Sequence, residues 1–203
     1  MKKATLLFLI FIIIPLFTQA QSVTNMDYVS PVHNDVAAIK KDGKWAFINT
    51  EGRIIINFRD DLVATKTESD TYPIFYNDRC KIVVVKDGIS YFGFINNIGE
   101  TVIKPQFLNV TNFNNGNAIA LEVTKKVIAK NSALGKDIVN YSYYKVLINT
   151  DGEVTDYLSH GINIVLDKDF LKAAPQINTK RITEHLYAVK NKKNLWDIIN
   201  IKD

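Results

Sequence analysis

One segment type recurs along this chain, and the repetition constrains the fold more than any other feature. Residues 40–58 read KKDGKWAFINTEGRIIINF, and residues 85–107 read VKDGISYFGFINNIGETVIKPQF. Aligning their Phe-Ile-Asn cores also aligns Gly52 with Gly99. The chain is therefore built from related units, each too small to bury a hydrophobic face alone, so that neighbouring units must stack.

Two further copies extend the pattern towards the C-terminus. LINTDG at 147–152 matches FINTEG in the first copy and places Gly152 at the turn position. YAVKNKKNLWDIIN at 187–200 is fainter, with Trp196 falling on Trp45, and it stops before the second turn. A degenerate last copy is typical of a capping repeat.

Each copy has the local pattern of a β-meander. In the first copy, Asp42-Gly43 offers the positive φ angles of a tight hairpin between two short strands. Gly52 marks a second turn, and the aliphatic run at 53–56 forms a third strand. The richness in β-branched and aromatic residues favours strands over helices.

The alternation of side chains predicts which residues form the repeat core. Trp45 and Phe47 share one face of their strand, and Phe92 and Phe94 do the same in the second copy. An exposed Trp45 or Trp196 would be a ligand-stacking platform, but their equivalent repeat positions favour packing. The predicted repeat-core residues are Trp45, Phe47, Gly52, Phe92, Phe94, Gly99, Gly152 and Trp196.

These residues resemble the WG-repeat family of bacterial proteins, best carried by DGKWAFINTEGRIII and YFGFINNIGETVIKPQF. No copy holds the Trp-Gly pair itself: the copies read Trp45-Ala46, Phe92-Gly93, Lys145-Val146 and Trp196-Asp197. The resemblance implies successive antiparallel hairpins and an interaction or structural role, with no known reaction.

We therefore predict an all-β domain over residues 21–203, made of repeated antiparallel hairpins or meanders. The sequence leaves open whether the strands form an open twisted array or close into a barrel or propeller-like ring. Residues 62–72 are predicted as a surface loop, and at most one short helix is expected, near 166–174. The predicted units span about 31–72, 73–110, 111–158 and 180–203.

The N-terminus has the three parts of a Sec-type signal peptide. Lys2 and Lys3 precede an apolar run at 6–17, and a short polar stretch ends in Ala20, after which we expect cleavage. The alternative is a membrane anchor, but Pro15 and the polar exit cut the run short of the roughly 20 apolar residues that span a bilayer. The mature chain has no second such run, so we expect a periplasmic, cell-surface or secreted protein.

Charge and cysteine content exclude several classes of partner and anchor. Without Lys2 and Lys3, 23 basic residues face 21 acidic ones, a net charge of +2 that favours no nucleic acid. Cys80 is the only cysteine and lies far from the cleavage point, so the protein is not a lipoprotein and has no internal disulfide. Its position before the apolar KIVVV run predicts a buried strand thiol.

Catalytic and metal-binding patterns are missing from the sequence. His33, His160 and His185 have no companions at metal-ligand spacing, and we predict no cofactor and no metal. Ser159-His160 is the nearest approach to a nucleophile and base, but adjacent side chains usually point apart. We therefore expect no enzyme, and an envelope hydrolase or lyase with an unrecognised site is the alternative.

A long hairpin at 124–143 supplies the predicted binding residues, which combine aromatics with cations that suit anionic polymers or sugars. The alternative is an ordinary solvated hairpin. The expected partner is an unidentified protein or glycan of the cell envelope, a purely structural spacer is a further alternative, and the sequence does not indicate the oligomeric state. The predicted binding residues are Tyr141, Tyr143, Tyr144, Lys125 and Lys126.

Overall fold

The computed structural model describes residues 23–132 and 135–201, so the predicted signal peptide lies outside the described residues. Those residues form strands and turns with no helix, and none of them is in a helix that could cross a membrane. The strands are β1 (Tyr28–Val29), β2 (Val36–Lys41), β3 (Lys44–Asn49), β4 (Ile54–Arg59), β5 (Thr65–Lys66), β6 (Thr71–Tyr72), β7 (Cys80–Lys86), β8 (Ile89–Ile95), β9 (Thr101–Phe107), β10 (Ala118–Asn131), β11 (Lys136–Ile148), β12 (Val154–Tyr157), β13 (Ile162–Ile164), β14 (Thr179–Arg181), β15 (Leu186–Lys190) and β16 (Trp196–Asn200).

The strands group into antiparallel sheets that follow the repeats. In each of the first three units a first, second and third strand pair in chain order: β2-β3-β4, β7-β8-β9 and β10-β11-β12. The last unit is the sheet β14-β15-β16, and β1 joins the first unit beside β2. The all-β meander predicted from the sequence is confirmed, and none of the described sheets closes on itself.

The tight hairpins form where the sequence places Asp-Gly. Asp42 and Gly43 have φ angles of 49° and 78°, and Asp87 and Gly88 have 53° and 78°. Positive φ at both central residues is the type I′ turn, whose twist matches that of the flanking strands. The pairings of Lys41 with Lys44, and of the corresponding residues in the second unit, follow directly.

An asparagine organises the second turn of each of the first three units. The Asn49 side-chain oxygen accepts hydrogen bonds from the backbone N–H groups of Glu51 and Arg53 at 3.1 and 2.9 Å. The backbone carbonyl of Asn49 accepts the N–H of Gly52 at 3.0 Å. Asn96 and Asn149 make the same set of bonds. These bonds satisfy the backbone groups of a five-residue loop, which explains the repeated Asn-x-x-Gly signature.

The units stack in chain order because each sheet has two apolar faces. Phe47 of the first unit packs in one cluster with Ile82 and Ile95 of the second. On the opposite face of the second unit, Phe94 packs with Val146 of the third. Further clusters join the third unit to the fourth and lie under the long hairpin. Stability therefore comes from interfaces between neighbouring units.

Cys80 lies in the first of these clusters and is fully buried, which confirms the predicted strand thiol. Removal from water raises the pKa of the thiol to about 12. The neutral thiol therefore packs as a small hydrophobic side chain at neutral pH.

The prediction of at most one short helix near 166–174 is confirmed: the segment contains a single turn, in which the Leu171 N–H donates to the Asp167 carbonyl at 2.9 Å. A single turn does not offset the free-energy cost of nucleating a helix, so no helix continues from it. The predicted loop at 62–72 contains the short pair β5 and β6, and it buries Leu62 and Tyr72 at its two ends.

The predicted repeat-core residues differ in their burial. Phe47 and Phe94 are fully buried, and Trp45 and Phe92 are partly buried against the first and second clusters. Trp196, predicted to lie in the core, is instead 42% exposed, and the ammonium groups of Lys180 and Lys190 lie over its ring at 5.1 and 5.3 Å from the centroid. Of the turn glycines, Gly99 and Gly152 lie directly against Ile56 and Ile103 of the preceding unit, whereas a Cβ at Gly52 would meet open space.

Candidate functional site

A cleft with a volume of about 680 Å³ lies between the third and fourth units. One wall runs from Tyr157, the last residue of β12, to Ile162, the first residue of β13, and the other wall is the β15–β16 hairpin. This segment leaves the third sheet at Leu158, whose N–H donates to the Lys145 carbonyl at 2.8 Å. The cleft thus forms at a junction between units, where stacking is incomplete.

The inner surface of the cleft is apolar. Leu158 and Val189 belong to the third hydrophobic cluster, with Ile199 packed against it. Ile162 of β13 completes the apolar lining. A ligand in the cleft would therefore contact aliphatic side chains at its centre, as is typical of binding sites.

The rim of the cleft is polar and mainly cationic. Lys192 and Lys193, in the turn between β15 and β16, are exposed beside His160. Asp197 is the acidic residue of the lining, and its carboxylate accepts the Asn191 side-chain N–H at 2.9 Å. The two ion pairs found among the described residues both lie in the first unit, so neither neutralises this rim. The rim favours an anionic group on the ligand.

A buried lysine connects the two units beneath the cleft. Lys145 occupies the position held by Trp45 and Phe92 in the earlier repeats, and it is 5% exposed. Its ammonium group donates to the Lys190 carbonyl at 2.8 Å. Desolvation lowers the pKa of Lys145 below its ordinary value of 10.5. Burial of the charge therefore opposes folding, while the hydrogen bond stabilises the junction of the two units.

The lowered pKa of Lys145 predicts a specific pH dependence. Because the folded state binds this proton less tightly than the unfolded state, the cost of the buried charge is present below the lowered pKa. That cost disappears as the pH rises towards 10.5. We expect the free energy of unfolding of the wild type, relative to Lys145→Met, to increase with pH in this window. Urea unfolding of both proteins from pH 7 to 10.5 measures it, and a constant difference would contradict the burial argument.

The pair Ser159 and His160 lies at the cleft, but the serine is already engaged. Its hydroxyl oxygen accepts the backbone N–H of Lys145 at 3.0 Å. No hydrogen bond between Ser159 and His160 is found among the described residues. Nor does that part of the chain bring three histidine, cysteine or carboxylate side chains together as metal ligands.

The binding residues predicted on the long hairpin separate onto two faces. Lys125 pairs directly with Tyr141, and Tyr143 lies two residues further along on the same face, packed against the fourth cluster. Lys126 and Tyr144 lie on the opposite face, and Tyr144 packs against the second cluster. The structure therefore does not bring the five side chains together, because neighbours in a strand point to opposite faces.

The cleft residues Lys192, Lys193 and Asp197 were not singled out from the sequence. The available signal was the faint fourth copy at 187–200, which predicts one more hairpin stacked against the third unit. The cleft lies between that hairpin and the third unit.

Comparison with known proteins supports the repeat assignment. A family described as the WG containing repeat matches residues 27–45 and 92–122. The matched segments cover the start of the first unit and the junction of the second and third, which confirms the predicted resemblance. No curated protein and no solved structure matches the chain.

Proposed function

We propose that this chain of WG-type repeats is an exported, non-enzymatic protein of the bacterial cell envelope that binds a protein or glycan partner. The observation that carries the proposal is the cleft of about 680 Å³ between the third and fourth units. Its aliphatic centre and lysine-rich rim suit an extended ligand that combines apolar and anionic groups. Export is supported by the charged, apolar and polar segments at 1–20.

Binding by the cleft is tested with charge reversal at matched sites. The tagged full chain is recovered from a bacterial envelope fraction, where we expect a mature form beginning at Gln21. It is then screened against solubilised envelope proteins and acidic glycans. Reversing Lys192 and Lys193 to Glu should reduce retention of the partner at least tenfold, because both exposed ammonium groups line the rim.

The control makes the same charge change on the long hairpin. Lys125→Glu with Lys126→Glu alters two exposed lysines remote from the cleft and should leave retention unchanged. If this control variant alone failed to retain the partner, the binding site would lie on the long hairpin and not in the cleft. Turnover of an envelope substrate that disappears in His160→Ala would contradict a non-enzymatic role.

A further inference from the structure

Among the described residues, the last unit keeps the pairing of the first two strands of a repeat, β15 and β16. Trp196 of β16 pairs with Lys190, as Trp45 of β3 pairs with Lys40. The lysine ammonium lies over the indole ring in both units, at 5.3 and 5.2 Å from the ring centroid. β16 is therefore the second strand of its unit, equivalent to β3.

In the earlier units this second strand always has a partner on each side. β3, β8 and β11 pair with the third strands β4, β9 and β12. Among the described residues β16 pairs with β15 alone. One edge of β16 thus presents backbone N–H and C=O groups where three equivalent strands have a neighbour.

In the earlier units the position of Ile198 pairs with a residue of the third strand and is buried against the following unit. Phe47 and Phe94 lie opposite Ile56 and Ile103 of their third strands, and all four are buried. Ile198 occupies the corresponding position in β16 and is 58% exposed. The edge therefore carries an uncovered aliphatic position in addition to its unpaired backbone.

The open edge is continuous with the cleft. Ile199 and Asp197 belong to β16 and line the cleft, whereas Ile198 and Trp196 lie on the other face of the same strand. In the first unit the residue equivalent to Ile199 is Ile48, which lies opposite Ile54 of the third strand. A strand added beside β16 would accordingly place side chains next to the cleft.

We propose that the last unit binds an extended segment of a partner protein, which adds beside β16 in the place that third strands take in the earlier units. This inference rests on the proposed binding function and names the class of partner. The segment carries aliphatic residues at the positions opposite Ile198 and Ile199, as the third strands of the chain do. Such strand addition obtains affinity from main-chain hydrogen bonds and specificity from alternate side chains.

The charged side chains around β16 indicate the net charge of the partner segment. Lys192 and Lys193 line the cleft, and the ammonium groups of Lys180 and Lys190 lie 5.1 and 5.3 Å from the centre of the Trp196 ring. Asp197, bonded to Asn191, is the one acidic group among the cleft-lining residues. The partner segment is therefore acidic, and a cationic strand is disfavoured.

The probe is a synthetic peptide of residues 151–158, DGEVTDYL, which contains the third strand of the third unit, β12, and the acidic residues of the turn before it. Added to the full chain, it should slow hydrogen exchange at alternate amides of Trp196–Asn200 at least tenfold at saturation. A peptide with Thr155→Pro lacks a strand N–H and should bind at least tenfold more weakly. An uncharged peptide, with its three carboxylates replaced by amides, should also bind more weakly.

A substitution in β16 tests whether the peptide contacts this strand. Ile198→Ser removes the aliphatic contact and should weaken peptide binding several-fold, whereas Ile128→Ser, at an isoleucine of the long hairpin that is 60% exposed, should not. Peptide binding without slowed exchange at Trp196–Asn200, or binding that tolerates Thr155→Pro, would overturn strand addition while leaving the cleft as a site. A glycan retained through the lysine rim, with no peptide bound, would overturn this inference alone. If no ligand were retained in a way that depends on Lys192 and Lys193, the proposed function itself would be overturned.

Discussion

Gly93→Ala is expected to destabilise the protein by about 3 kcal/mol or more, because the added methyl group has no space. A Cβ at Gly93 would lie 2.3 Å from the Ile103 carbonyl oxygen and 2.7 Å from the Pro105 nitrogen. Both are backbone atoms of β9, so relief requires the sheet to move. At about 2–4 °C per kcal/mol for a chain of this size, the melting temperature should fall by about 6–12 °C.

Register explains why this position needs glycine while Ala46 is accepted at the equivalent place. In the first unit Trp45 and Phe47 pair with Arg59 and Ile56, so two residues bulge opposite Ala46. The second unit pairs Phe92 and Phe94 with Phe107 and Ile103, and three residues bulge there. The additional residue brings the β9 backbone over Gly93.

Thermal and urea unfolding of Gly93→Ala, beside Gly43→Ala, measure the steric effect. Gly43 has a φ of 78° and open space around it, so its substitution carries only the conformational cost of about 1 kcal/mol. If Gly93→Ala lost no more stability than Gly43→Ala, the close approach of β9 to Gly93 would be contradicted.

Phe94→Ala is expected to lower the free energy of unfolding by about 3–5 kcal/mol, the usual cost of removing a buried phenylalanine side chain. Phe94 is 0% exposed and lies between the second and third units. Its ring centroid is 4.8 Å from that of Phe113. The substitution leaves a cavity at the interface on which the stacking of these units depends.

The matched control is Phe170→Ala, the same substitution at a side chain that is 72% exposed. We expect this control to change stability by no more than about 0.5 kcal/mol. Both variants are compared by urea denaturation of the mature chain. A loss below about 1 kcal/mol for Phe94→Ala would contradict tight packing between the second and third units.

The strands and turns could be predicted because their signals are local. Asp42-Gly43 and Asp87-Gly88 adopt positive φ angles where the sequence predicts tight turns, and the strands beside these turns form at the β-branched and aromatic runs. At 166–174 the sequence is compatible with either a short helix or a single turn, and the structure forms the turn. Packing of Leu171 into the fourth cluster accompanies the turn.

The predicted binding residues show where local information fails. Tyr143 and Tyr144 are adjacent in sequence, yet they pack against different clusters on opposite faces of the hairpin. Proximity in sequence therefore did not assemble a site. The cleft residues come from segments about 30 residues apart, such as Ser159 and Val189, and only the stacking of two units brings them together.

The sequence by itself determined the repeat, the meander within each unit and the positions of the tight turns, because these depend on neighbouring residues and on backbone φ. Only the tertiary structure decided which faces are covered. Trp45 and Trp196 have equivalent positions and equivalent lysine partners, yet Trp45 packs against the first cluster and Trp196 is exposed. The difference arises because the burial of a side chain depends on the unit that packs against it, and the sequence of a strand does not specify which unit that is.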